Sequence, residues 1–179
     1  ARLMSQQSAS SGKIADPFRF AADARTLRGE VAVAKLSRLA DSLVSTDEAI
    51  SWSVEGSMFE GVVSGQSDPR LKLRLDGTLN LRCQRCLGGL DWVLAVETVL
   101  QHVRVGQPIQ DEELEDDEVD AIEIDGELDL LGLIEDEILL ALPIAPRHEQ
   151  CEAPRGGNGA NEESPFAALA SLRGSHRAD

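Results

Sequence analysis

Arg70-Leu71-Lys72-Leu73-Arg74-Leu75-Asp76-Gly77-Thr78-Leu79-Asn80-Leu81-Arg82-Cys83 is the stretch that decides how this chain folds. Asp76-Gly77 is a two-residue turn signal and invites a hairpin reading. In that hairpin Leu75 would stand opposite Thr78, Leu73 opposite Asn80 and Leu71 opposite Arg82. Cross-strand partners share a face, so three leucines would be set beside three polar groups. Read as one strand, the same residues sort cleanly. Leu71, Leu73, Leu75, Gly77, Leu79, Leu81 and Cys83 take one face, and Arg70, Lys72, Arg74, Asp76, Thr78, Asn80 and Arg82 take the other. The parity never breaks, so a single long strand is expected, with Gly77 marking a bulge or a close backbone approach. Alternation of this kind belongs to an antiparallel sheet with one buried and one wet face.

Cys83-Gln84-Arg85-Cys86-Leu87-Gly88-Gly89 should then turn the chain, and Leu90, Trp92, Leu94 and Val96 alternate as an antiparallel return strand. The phase breaks near Glu97 and Thr98. Upstream, Ile50, Trp52 and Val54 alternate with Ser51, Ser53 and Glu55, which predicts another strand. The Gly-rich residues 56–67 read as a loop or distorted strand. Residues 29–33 read as a short strand, and Asp16 to Phe20 as an anchored lead-in. Leu36, Leu39, Ala40 and Leu43 recur at helical spacing and predict a short amphipathic helix.

Downstream, Ile122 and Ile124 predict a short strand and Asp125-Gly126 a turn. Asp129 is a candidate N-cap. Leu130, Leu131, Ile134, Ile138 and Leu142 line one side of a helix that Pro143 ends. The expectation is an α+β fold: a mainly antiparallel sheet with a short N-terminal helix and a longer C-terminal one. Residues 1–15 are expected to be disordered, 16–152 to form one domain, and 106–120 to be a mobile acidic loop. Residues 153–179 read as a flexible tail with a short docking segment at 164–172. There is no internal repeat.

Composition narrows the function classes. Apolar residues make up 42% of the 179, with four Phe, two Trp and no Tyr, so the core must be aliphatic. No apolar run reaches the ~20 residues of a membrane helix, and the cytoplasm is the expected location. The net charge is −15, which opposes broad wrapping of nucleic acid. The charge is uneven. Asp111, Glu112, Glu113, Glu115, Asp116, Asp117, Glu118 and Asp120 form an acidic run suited to a basic protein partner. Arg70, Lys72, Arg74, Arg82 and Arg85 form a basic row suited to RNA, although an ordinary polar strand face reads the same way. No exposed aromatic is expected among them to stack a base, as sheet-type RNA readers require.

The cysteines are Cys83, Cys86 and Cys151, an odd number that makes a poor disulfide framework. Cys83-x-x-Cys86 on a Gly-rich turn has the spacing of a zinc knuckle. His148 and Cys151 are the remaining candidate ligands, and together the four would tie the turn to the segment after the long helix. The alternative is a pair of half-buried structural cysteines and a solvated His148. A thioredoxin-type redox pair is disfavoured because a strand, not a helix, follows the motif. No nucleophile signature, P-loop or dinucleotide fingerprint is present, so no catalytic residue and no small-molecule substrate is expected.

Three stretches together resemble the YceD family. They are Leu79-Asn80-Leu81-Arg82-Cys83-Gln84-Arg85-Cys86-Leu87, the helix and its exit from Gly126 to His148 followed by Cys151, and Ser164-Pro165-Phe166-Ala167-Ala168-Leu169-Ala170-Ser171-Leu172. The resemblance runs from about residue 16 to 173 and is strongest from 79 to 148. It implies a role in the synthesis, processing or stability of 23S ribosomal RNA. The resemblance points to the large-subunit precursor and 23S RNA as partners, and the acidic run adds a basic ribosomal protein as a further or alternative one. Many relatives carry a second cysteine pair after the long helix where this chain has His148 and Cys151. The expected function is therefore that of a non-enzymatic ribosome-assembly factor, against the alternatives of a direct RNA-binding module or a metal-dependent RNA-processing enzyme.

Overall fold

The computed structural model describes residues 12–60, 67–106 and 119–154. In chain order the elements begin with β1 (Lys13–Ile14), helix α1 (Pro17–Ala22) and β2 (Thr26–Ala32). Two 3₁₀ turns follow, Val33–Lys35 and Ser37–Ser42. The remainder is β3 (Ala49–Glu60), β4 (Ser67–Arg82), β5 (Gly89–Arg104), β6 (Val119–Ile124), β7 (Leu128–Asp129) and helix α2 (Leu130–Ala141). Strands β2-β3-β4-β5-β6 form one sheet in that order, and β1 pairs with β7 in a separate ribbon. The fold is α+β. The first-expected disordered stretch overlaps β1, which is ordered because Ile14 enters the core and Lys13 pairs with Glu127.

The parity argument holds along β4. Leu71, Leu73, Leu75, Leu79 and Leu81 are all buried, and the strand pairs without interruption from Arg70↔Gln101 to Arg82↔Gly89. Gly77 is no bulge. A Cβ there would lie 2.5 Å from Ile50 Cδ1, so the glycine makes room for a neighbouring side chain. Residues 56–60 are regular strand and pair with 67–71, where a loop or distorted strand was expected. Gly56 explains the mismatch: the backbone of Phe20 and Ala21 in α1 crosses where its Cβ would stand.

One face of the sheet carries the core, covered by α1, the 3₁₀ turns and α2. Asp16 caps α1 by accepting from Arg19 N at 2.9 Å, with Pro17 at the first helical position. Asp129 caps α2 by accepting from Gly132 N at 3.2 Å, as its position predicted. Arg38 ties the second 3₁₀ turn to α2 through Glu135, Asp136 and the Gly132 carbonyl. The leucines at 36, 39 and 43 are buried, but not on an α-helix: Leu39 lies in the second 3₁₀ turn, and Leu36 and Leu43 flank it. Leu39 N–H donates to the Leu36 carbonyl at 3.2 Å, which closes the tight turn between the two buried side chains. A bridge from Leu43 to Leu81 then pulls the chain back to extended form.

The apparent phase break at Glu97 and Thr98 is not a break in β5. The register continues, with Thr98 opposite Leu73 on the core face and His102 further along it. Polar residues are admitted there because α1 lies over that end. His102 Nε2–H donates to the Pro17 carbonyl at 3.1 Å, and the ring meets Phe18 edge-on at 4.9 Å. The parallel pairing of β5 with β6 was not foreseen. Residues 105–118 make that connection, enough for the dozen or more a parallel return needs.

His102 gives the fold a pH dependence. Its Nδ1 meets no hydrogen-bond partner among the described residues, and burial pushes its pKa below the ordinary value. In the unfolded chain the imidazole takes a proton near pH 6.5. Below that pH the unfolded state binds more protons than the folded one, so stability falls as pH falls toward the lower folded value and levels off beneath it. Above about pH 6.5 the effect is absent. The wild-type urea midpoint should therefore decline more steeply below pH 6.5 than that of His102→Gln. Parallel curves would remove His102 from the explanation.

Candidate functional site: a Cys3His cluster

The turn between β4 and β5 presents the two cysteines of the motif to the segment that follows α2. Cys83 N–H donates to the Gly88 carbonyl and Leu87 N–H to the Cys83 carbonyl, both at 2.9 Å. Leu87 takes the left-handed conformation that the tight turn demands. Gln84 N–H donates to the Pro146 carbonyl at 2.8 Å, which fastens the post-helix segment alongside. Pro143 has ended the helix by then, and the chain is free to run back toward the turn.

Four ligand atoms meet there. Those of Cys83, Cys86, His148 and Cys151 all lie within 4.8 Å of one another. Cys83 Sγ is 3.8 Å from Cys151 Sγ, and Cys86 Sγ is 3.4 Å from His148 Nδ1. Tetrahedral zinc with Zn–S near 2.3 Å and Zn–N near 2.05 Å separates two sulfurs by about 3.8 Å and a sulfur from a nitrogen by about 3.6 Å. The donor set and its spacing fit such an ion. The other imidazole nitrogen is also placed for it. His148 Nε2 lies 2.9 Å from the Gly89 carbonyl, an acceptor only, so Nε2 carries the hydrogen and Nδ1 keeps its lone pair for the ligand position.

The electrostatics agree. Backbone N–H groups, that of Cys86 foremost and those of His148 and Arg85 after it, hold the Cys83 thiol down to about 5. Burial and then the sulfurs of Cys83 and Cys86 push Cys151 up. Three sulfurs this close cannot all ionise unless a cation sits among them. Parity had placed Cys83 on the inward face of β4, and it is fully buried. The Gly89 carbonyl was not legible as a partner of His148, although Gly88-Gly89 hinted at a tight approach. A Cβ at Gly89 would collide with the side chain of Asn80, which donates to Asp91 at 2.7 Å.

Arg70, Lys72, Arg74 and Arg82 lie on the open face of the sheet and Arg85 in the turn after it, and each has a partner within the protein. Lys72 and Arg74 both reach Glu97, at 2.6 and 2.5 Å. Arg70 stacks 3.6 Å over the ring of Phe59 and donates to Gln101. Arg82 donates to the Leu43 carbonyl and Arg85 to the Cys151 carbonyl, each at 3.3 Å. Phe59 corrects the expectation that no exposed aromatic joins this row, since it is 40% exposed beside Arg70. It was missed because residues 56–60 had been read as outside regular strand. Asp111, Glu112, Glu113, Glu115, Asp116, Asp117 and Glu118 lie outside the described residues, as does the segment 164–172.

Fold and cluster together define a small α+β protein whose β-turn and post-helix segment converge on one Cys3His set. The family model described as "Large ribosomal RNA subunit accumulation protein YceD" matches residues 71–173. A protein of that name from Haemophilus influenzae is 30% identical over 175 residues, covering 88% of this chain and 93% of its own length. The chain belongs to the YceD family. No solved structure matches it. No helix among the described residues is long and apolar enough to cross a membrane.

Proposed function

We propose that this chain is a non-enzymatic factor that supports accumulation of large-subunit ribosomal RNA. The observation that carries the reading is the family match, which takes in β4, the cysteine turn, α2 and the segment beyond it. The cluster is read as a structural zinc site. When bound, zinc supplies cross-linking between β4 and the post-helix segment. Four protein ligands leave no open position for a substrate or a water, which supports a role without chemistry at the metal.

Charge supports a protein partner more than bulk RNA. At −15 the chain is repelled by phosphate, and the acids at 111–118 suit a basic ribosomal protein by long-range complementarity. Direct contact with 23S RNA through the open face is the weaker reading, because Lys72 and Arg74 are both paired with Glu97, which cuts their joint charge from +2 to +1. The site of action on this reading is the cytoplasm, on the large-subunit precursor.

The test is depletion in the native host, with rescue. The ratio of large- to small-subunit RNA should fall selectively and return with the wild-type gene. An unchanged ratio after depletion would refute the reading.

A further inference from the structure

The end of the molecule that holds the cluster also displays bare aliphatic side chains. Ile144 is fully exposed, Leu140 is 80% exposed and Leu87 57% exposed. Leu140 is in the last turn of α2, and Ile144 is two residues before Pro146, whose carbonyl accepts from Gln84 in the cysteine turn. Leu87 is in that same turn. Isolated exposed aliphatics need no explanation, whereas several at one end of a molecule are candidates for a contact surface. Leu87 and Ile144 lie within three residues of the two ends of the Gln84–Pro146 bond, and Leu140 is four residues before Ile144, in the last turn of α2.

The described chain ends at Pro154, three residues past Cys151, so the tail leaves from this same place. Residues 155–164 include three Gly and two Asn. Ten residues of Gly-rich chain in general span about 17 Å root-mean-square and hold a far end at roughly millimolar effective concentration. At that far end Phe166, Leu169 and Leu172 recur every three residues. The family match continues to residue 173, well past the last described element, and omits the first 70 residues. The sequence unit shared with the family thus includes both the cluster end and this tail.

We infer that residues 165–172 fold back in cis, with Phe166, Leu169 and Leu172 covering Leu87, Leu140 and Ile144. The tether makes its own chain the favoured occupant at ordinary protein concentrations, ahead of a second copy or a free partner.

The test uses the full chain, loaded with zinc, at low concentration. Methyl spectra of Leu87, Leu140 and Ile144 are compared between wild type and the double variant Leu169→Asp with Leu172→Asp. All three methyl signals should shift, and amide exchange in residues 165–172 should quicken at least tenfold. Ile144→Asp, a surface change that spares the core, should release the tail with the same gain in exchange. Superimposable spectra would overturn the inference. So would shifts that appear only as concentration rises, which would assign the surface to a second copy. The readout uses neither RNA nor ribosomes, so its failure is separable from failure of the function proposed above.

Discussion

Cys83→Ser is expected to take the purified protein from about one zinc per chain to near none by elemental analysis. The same variant should melt more than about 10 °C lower, because a structural zinc contributes several kcal/mol and each shifts Tm by a few degrees at this size. The cost falls on the link between β4 and the post-helix segment. Cys83 belongs to the turn, Cys151 to the far segment, and their sulfurs are 3.8 Å apart. His148→Cys should keep the metal, since a fourth thiolate is a good zinc ligand, whereas His148→Ala should lose it. Acid should release zinc from the wild type, as protons compete for the same sulfurs and imidazole. A wild-type protein that carries no zinc after expression in zinc-replete medium would sink the assignment. So would a Cys83→Ser protein with unchanged metal content.

The ligand set was readable because its residues have few other uses in those positions. A C-x-x-C pair on a Gly-rich turn demands two more donors, and His148 and Cys151 are the nearest after a helix that Pro143 stops. The burial of Cys83 followed from strand parity alone. What parity could not show was the partner of each strand. Nothing in Ile122 and Ile124 marks β6 as parallel to β5, because pairing direction is set by the path of the connection and not by local pattern. The helix at the N-terminus was likewise displaced. Asp16-Pro17 is a cap followed by a favoured first residue, yet the leucine spacing at 36–43 drew the helix expectation downstream. Three-residue and four-residue spacings differ by one position, and over so short a stretch they cannot separate 3₁₀ from α. The Gly89 carbonyl was hidden for a different reason: main-chain partners leave no trace in side-chain chemistry.

Leu73→Ala and Lys72→Ala are adjacent substitutions on β4 and are expected to behave oppositely. Leu73 is fully buried, with Val54 beside it on β3 and Thr98 on β5. Removing its branched end should destabilise the protein by about 3–5 kcal/mol, the transfer loss plus the cavity that a rigid sheet cannot close. Lys72 points the other way and holds an exposed contact with Glu97, which also keeps Arg74. Exposed pairs of this kind contribute little, so Lys72→Ala should leave the urea midpoint where it was. Equal effects at the two positions would mean that the sheet buries both faces, and the single-strand reading from Arg70 to Cys83 would lose its physical basis. The contrast also separates stability from recruitment. Should Lys72→Ala fold normally yet fail to restore large-subunit RNA, the open face would be a contact surface in its own right, and the weaker RNA reading would displace the stronger one.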